Sequence, residues 1–131
     1  MMNGKILDTN VVIDLFREDE ATVSKVKAIS KVYLPVIVLG ELLYGAKISD
    51  RVHYQTAKVN SLAQKTQLLD CDKETASFYS SVKAQLKKAG TPIPENDIWI
   101  AALAMQHELP LITNDRHFDK IQAIQKEKIK A

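Results

Sequence analysis

Apolar residues fall in short runs that alternate with longer stretches where they step by three or four. Lys5-Ile6-Leu7 is a brief run that stops at Asp8 and predicts a short buried strand. Thr9–Phe16 then reads as a helix starting at the strand's end, and Ala21, Val23, Val26 and Ile29 give residues 20–31 an amphipathic helical pattern. A second short strand is expected over Val32–Leu34, stopped at Pro35, followed by a mostly buried helix over Val36–Ala46. Val52, Val59, Leu62 and Ala63 share one face of residues 51–65, and Gln67-Leu68-Leu69 supplies a third strand. Asp72 is placed to cap a helix in which Ala76, Tyr79, Val82, Leu86 and Ala89 recur at helical spacing, and Gly90 is placed to end it. After the stiff connector Thr91-Pro92-Ile93-Pro94, an almost wholly apolar helix is expected over about 96–108. Pro110–Thr113 reads as a strand, and Ile121–Ile124 as a last edge strand before a Lys-rich tail. Short strands alternating with longer helices predict an α/β fold with a parallel sheet covered on both faces.

Length and composition narrow this picture. A chain of 131 residues suits one domain over 1–131 with one core, and 46% hydrophobic with 26% charged residues is an ordinary globular balance. No repeat, low-complexity stretch or linker divides it. The formal net charge of +2 is too mild to indicate nucleic-acid binding by itself, yet it permits basic patches beside an acidic site. Cys71 is the only cysteine, which excludes an internal disulfide and a cysteine-rich zinc site and agrees with a reducing cytoplasm. The residues after Met1-Met2-Asn3-Gly4-Lys5 do not form a signal peptide, because Asp8 interrupts the apolar run at once. No run approaches the roughly 18 apolar residues of a membrane helix.

The chemistry lies in where four acids fall. Asp8 ends an apolar strand, and Glu41 interrupts Val36–Gly40 and Leu42-Leu43-Tyr44. Asp97 opens Ile98–Ala104, and Asp115 follows Leu111-Ile112-Thr113 by two residues. A lone buried carboxylate costs several kcal/mol or takes up a proton, so each wants a cation, a cap or a metal. No Lys or Arg sits inside these runs. All-oxygen ligation suits Mg²⁺ or Mn²⁺ rather than zinc. In an open parallel sheet ligands bind outside the carboxyl ends of the strands, where Asp8 and Asp115 are expected, and Asp97 is expected near a helix start whose dipole favours negative charge. Each acid alone also fits a local role: Asp8 an Asx-turn or cap, Asp97 a helix cap, Asp115 an ordinary turn, Glu41 an outward-reaching side chain. The set of four says more than any one.

The four segments resemble, in order, the motifs of the PIN-domain family. Leu7-Asp8-Thr9-Asn10-Val11-Val12-Ile13-Asp14 resembles the first motif and Glu41-Leu42-Leu43-Tyr44-Gly45-Ala46 the second. Asn96-Asp97-Ile98-Trp99-Ile100-Ala101-Ala102 resembles the third and Thr113-Asn114-Asp115-Arg116-His117-Phe118 the fourth. Single-domain members of this size are mostly VapC toxins of toxin–antitoxin pairs. The resemblance implies a three-layer α/β/α fold with a central, mostly parallel twisted sheet. It further implies a metal-dependent endoribonuclease using Mg²⁺ or Mn²⁺, products with 5′-phosphate and 3′-hydroxyl ends, neutralisation by a small antitoxin protein, and a homodimer. It assigns Asp8, Glu41, Asp97 and Asp115 as catalytic metal-holding acids, with Thr9, Asn10, Thr113 and Asn114 supporting them. Asp119 fits a surface role better, and Asp14 a solvated or pairing one.

The remaining signals are weaker. His53, His107 and His117 show no ligand or triad spacing and read as surface residues; Cys71 and Trp99 read as packing. Lys83, Lys87 and Lys88 on one helix side, and Lys120, Lys126, Lys128 and Lys130 near the C-terminus, are solvated faces or phosphate contacts. Two rival readings are a PIN-like RNA- or protein-binding module without catalysis, which the presence of all four acids opposes, and a phosphorylation-switched receiver domain. The second lacks its adjacent acids after the first strand and its Lys-Pro strand end, where Pro110–Asp115 supplies another carboxylate instead.

Overall fold

The computed structural model describes residues 3–130; Met1, Met2 and Ala131 lie outside the described residues, so the leader reading falls partly outside them. Among the described residues, five strands form one sheet: β1 (Lys5–Leu7), β2 (Val32–Pro35), β3 (Gln67–Leu69), β4 (Leu111–Ile112) and β5 (Lys126–Glu127). Their order is β3-β2-β1-β4-β5, and every pair is parallel. Six helices connect them: α1 (Thr9–Phe16), α2 (Glu20–Lys27), α3 (Val36–Lys47), α4 (Val52–Lys65), α5 (Lys73–Ala89) and α6 (Glu95–His107).

Both faces of the sheet are covered, as its sequence requires. Successive strand residues point to opposite faces, yet Ile6 and Leu7 in β1, and Leu111 and Ile112 in β4, are all fully buried. Together with Leu34, Val11, Val12, Ile100 and Leu103 they form one core. The chain lays β1, β2 and β3 outward in one direction and then returns to place β4 on the other side of β1. The switch point therefore lies between β1 and β4, the place where an open parallel sheet leaves a crevice at its carboxyl end.

Local signals set the element ends. Asp72 accepts the Thr75 amide at 3.0 Å while the Thr75 hydroxyl accepts the Asp72 amide at 3.0 Å, a reciprocal cap that starts α5. Gly90 ends the helix at φ 69°. The helix after Pro35 is less buried than expected: Val38, Leu42 and Ala46 face the core, while Val36 and Tyr44 are exposed.

The last strand is a correction. Ile121 and Ile124 are buried in the connection, not in a strand, and the sheet edge is made by Lys126–Glu127 from the Lys-rich segment. The isoleucines serve as core plugs. The polar pair can hold an edge because Leu111 and Thr113 donate their amides to Gln125 and Glu127 carbonyls at 2.9 and 3.0 Å. Glu127 is also clamped by Lys5 at 2.9 Å and Lys25 at 2.8 Å.

Candidate active site

The switch point carries the acids. Asp8 leaves the end of β1 with its amide bonded to the Ile112 carbonyl of β4 at 3.0 Å. Its side chain is 3% exposed and fully engaged. Oδ1 accepts the Thr9 amide at 2.8 Å; Oδ2 accepts the Thr113 hydroxyl at 2.7 Å and the Asn10 amide group at 3.0 Å. Burial outweighs these donors, with the Asp97 and Asp115 charges adding to it, and lifts the carboxyl to about 6.

Thr113 links two acids. Its hydroxyl gives its proton to Asp8 and accepts the Asp115 amide at 2.9 Å, so the ends of β1 and β4 are tied at one oxygen. Asn10 adds a second tie, its side-chain carbonyl accepting the Asn114 amide at 3.0 Å. Asn114 in turn accepts the Ile129 and Lys130 amides, each at 3.1 Å. Its Nδ2 is buried with no partner among the described residues, a donor suited to an ordered water.

Glu41 and Asp97 come from helices. Glu41 projects from the middle of α3, and its Oε1 accepts the Thr9 hydroxyl at 2.8 Å. Asp97 lies in the first turn of α6, which has no side-chain cap at Pro94, so the helix dipole favours its negative charge. Its side chain is 13% exposed. Burial raises its pKa most; the His117 hydrogen bond opposes this, and the charges of Asp115 and Glu41 raise it further. Glu41, Asp97 and Asp115 line one open cleft with Pro94, Glu95, Asn96 and His117; Asp8 is not among the lining residues and stands buried behind it, bonded to Thr113 and within reach of the Asp97 and Asp115 charges.

His117 was not expected in the site. It stands on the short 3-10 turn Arg116–Lys120, which Asp115 caps by accepting the His117 amide at 2.9 Å. The ring returns over its own cap: Nδ1 lies 2.8 Å from Asp97 Oδ2 and 3.0 Å from Asp115 Oδ1. Spacing alone could not reveal this, because the tight turn rather than helical periodicity brings His117 back toward Asp115. Two further readings are corrected. Cys71 is exposed rather than packed. Trp99 is half-buried and stacked on Tyr79, ring centroids 4.1 Å apart, rather than enclosed in the core.

The basic clusters are partly committed within the chain. Lys83 pairs with Glu95. Lys128 pairs with Asp119 at 3.1 Å and Lys130 with Asp14 at 3.2 Å, while Lys126 donates to the Ile121 carbonyl at 2.6 Å. None reaches the acids: among the described residues, His117 is the only basic side chain within ion-pair distance of Asp8, Glu41, Asp97 or Asp115. The donor set fits a divalent cation, since convergent carboxylates without a Lys or Arg repel one another unless a cation joins them.

An all-parallel α/β domain with acids gathered at its topological switch point defines the class of carboxylate, metal-compatible active centres. The comparisons with known proteins make this specific. A family model described as PIN domain matches residues 5–124. The chain is 31% identical to Ribonuclease VapC2 of Haemophilus influenzae, over 93% of this chain and 95% of that protein. Its fold superposes with a TM-score of 0.91 on a chain of the DNA-bound VapBC structure from Salmonella typhimurium, at 29% identity over 98% of this chain and 100% of that one. It superposes at 0.75 on a chain of VapBC-5 of Mycobacterium tuberculosis, a member of the VapBC family of toxin-antitoxin systems, at 30% identity over 97% and 98%. The chain belongs to the PIN-domain family.

Proposed function

We propose that this chain is a single-domain, cytoplasmic endoribonuclease and the toxin of a toxin–antitoxin pair. In this reading Asp8, Glu41, Asp97 and Asp115 hold a divalent ion, Mg²⁺ or Mn²⁺. The observation that carries it is that Asp97 and Asp115, with His117, stand within ligand distance of one another among the described residues, with Asp8 and Glu41 near enough for charge to act between them and this group. The named activity of the Haemophilus relative supports RNA as the substrate.

When bound, the ion supplies positive charge for the phosphodiester and acidity for the attacking water. The chain's residues prepare the place. Thr9, Asn10 and Thr113 hold Asp8 in one orientation through three donors, and Thr9 also fixes Glu41. The amides at the start of α6 favour an anionic Asp97 and an approaching phosphate alike. The burial that raises Asp8 and Asp97 makes a cation the preferred replacement for their protons.

The antitoxin reading rests on a second groove, lined by Ile13, Phe16, Arg17, Leu42 and Val59, that shares Glu41 with the acidic cleft. A partner segment lying there reaches the acids directly. An Arg on it is the most effective blocker, because a guanidinium pairs with carboxylates in fork geometry.

RNA cleavage should need Mg²⁺ or Mn²⁺, stop with EDTA, and leave 5′-phosphate ends. Asp97→Asn should lose it while remaining folded. Full activity of that variant, with contaminating nuclease excluded, removes Asp97 from the mechanism.

A further inference from the structure

The geometry points to His117 as a nitrogen ligand of the same metal site, one that shifts its preference from Mg²⁺ toward transition-metal ions such as Mn²⁺. This rests on the metal reading above and adds a donor that the four-carboxylate set lacks.

The first argument is distance. His117 Nδ1 lies 2.8 Å from Asp97 Oδ2 and 3.0 Å from Asp115 Oδ1, and one ligand atom from each of the three residues falls within 4.8 Å of the others. Neighbouring ligands of an octahedral ion with bonds of about 2.1 Å are separated by about 3 Å, the bond length times √2. The nitrogen stands at that spacing from each of the two oxygens, the separation of neighbouring ligands on one ion.

The second argument is placement. The turn that carries His117 is fixed on both sides: Asp115 caps it, and Phe118, fully buried, anchors it to the core. The imidazole is therefore presented to the cleft by the same turn that presents Asp115, and its side chain remains 43% exposed, which leaves an approach for an ion from solvent.

The third argument is donor chemistry. Oxygen-only sites suit Mg²⁺, which binds nitrogen reluctantly, whereas imidazole is an ordinary ligand for later divalent ions, and Mn²⁺ begins the series of rising affinity. One imidazole among carboxylates thus weights the site toward Mn²⁺ and beyond. An imidazole that is only a counter-cation for the apo site behaves in the opposite way, since it must leave when the ion arrives.

The test uses the whole chain and Mn²⁺ itself as probe. Bound Mn²⁺ is counted by the loss of the free-ion electron paramagnetic resonance signal. Its ligands are read by pulsed measurement of nitrogen coupling, on protein with natural and with ¹⁵N-labelled histidine. A directly coordinated imidazole gives a ¹⁴N coupling that changes isotope with the label, a readout that needs no variant. His117→Ala, checked for folding by its melt, should abolish the coupling and weaken Mn²⁺ at least about tenfold, with Mg²⁺ (measured by competition) weakened less than about threefold. Stoichiometric Mn²⁺ without nitrogen coupling overturns the inference and leaves the proposed function standing. Equal weakening of both ions overturns the selectivity. Failure of wild type to bind Mn²⁺ or Mg²⁺ at all defeats the metal reading itself, and this inference with it.

Discussion

Asp8 is a carboxylate taken almost wholly out of water. Its carboxyl sits at about 6 in the fold against 3.8 ordinarily, chiefly because it is buried. Without metal, the folded chain holds this proton more tightly than the unfolded one. The stability it contributes is full below about pH 4 and is lost as pH rises through about 6, an amount of roughly 2–3 kcal/mol. Asp19, Asp72 and Glu127 have lowered values and act in the opposite sense. The difference between wild type and Asp8→Asn isolates the effect. In EDTA, wild type should lose ground to the variant between pH 4 and 7 by that amount; a pH-independent difference refutes it. Asp97→Asn should leave the metal-free melt unchanged or improved, because it removes one charge from a crowded set. Metal at about 100 times its dissociation constant should stabilise wild type by roughly 2.7 kcal/mol and the variant much less. Equal responses would remove Asp97 from the shared site. The acids were legible in the sequence because each broke an apolar run. The role of His117 was not, since it depends on a tight turn whose direction no periodicity encodes. Glu41 interrupts a run that is apolar in sequence but only partly buried: Tyr44, three residues on, is exposed.

Most of the elements were visible as alternation of short runs and helical steps, and the caps Asp72 and Gly90 stand where their side-chain chemistry places them. The C-terminal edge was not visible, because a two-residue strand of Lys126 and Glu127 is set by pairing with β4 and by two lysine clamps rather than by its own hydrophobicity. The part Gly4 plays has no mark in the sequence pattern for a similar reason. It precedes β1 at φ +119°, and an added Cβ would meet the Lys31 carbonyl oxygen at 2.2 Å. That oxygen accepts the Lys5 amide at the start of the β1–β2 register and cannot yield. Gly4→Ala should therefore cost more than about 2 kcal/mol in a denaturant melt. Gly40→Ala, in a helix with open space around the site of substitution, should gain roughly 0.5–1 kcal/mol. Similar effects of the two would mean that the β1 entry tolerates a shifted backbone.

For the whole molecule, the sequence pattern led to the parallel sheet, and the sheet order put its switch point where the acids are. What pattern could not supply was the surface. Tyr44, Ile48, Val52 and Tyr54 leave apolar area exposed at the end of α3 and the start of α4. Apolar area of this kind is the physical requirement for the homodimer that the family resemblance implies. Sedimentation at micromolar concentration should show a dimer, and a single monomeric species counts against it.

The anchoring of Asn114 by the Ile129 and Lys130 amides bears on how the protein is made. Synthesis runs from the N-terminus, so a growing chain carries all four acids before it carries the residues that bolt down the loop between β4 and Asp115. A nascent chain stopped short of Lys126 thus holds all four acids without the β5 edge or the two amides that hold Asn114 beside Asp115.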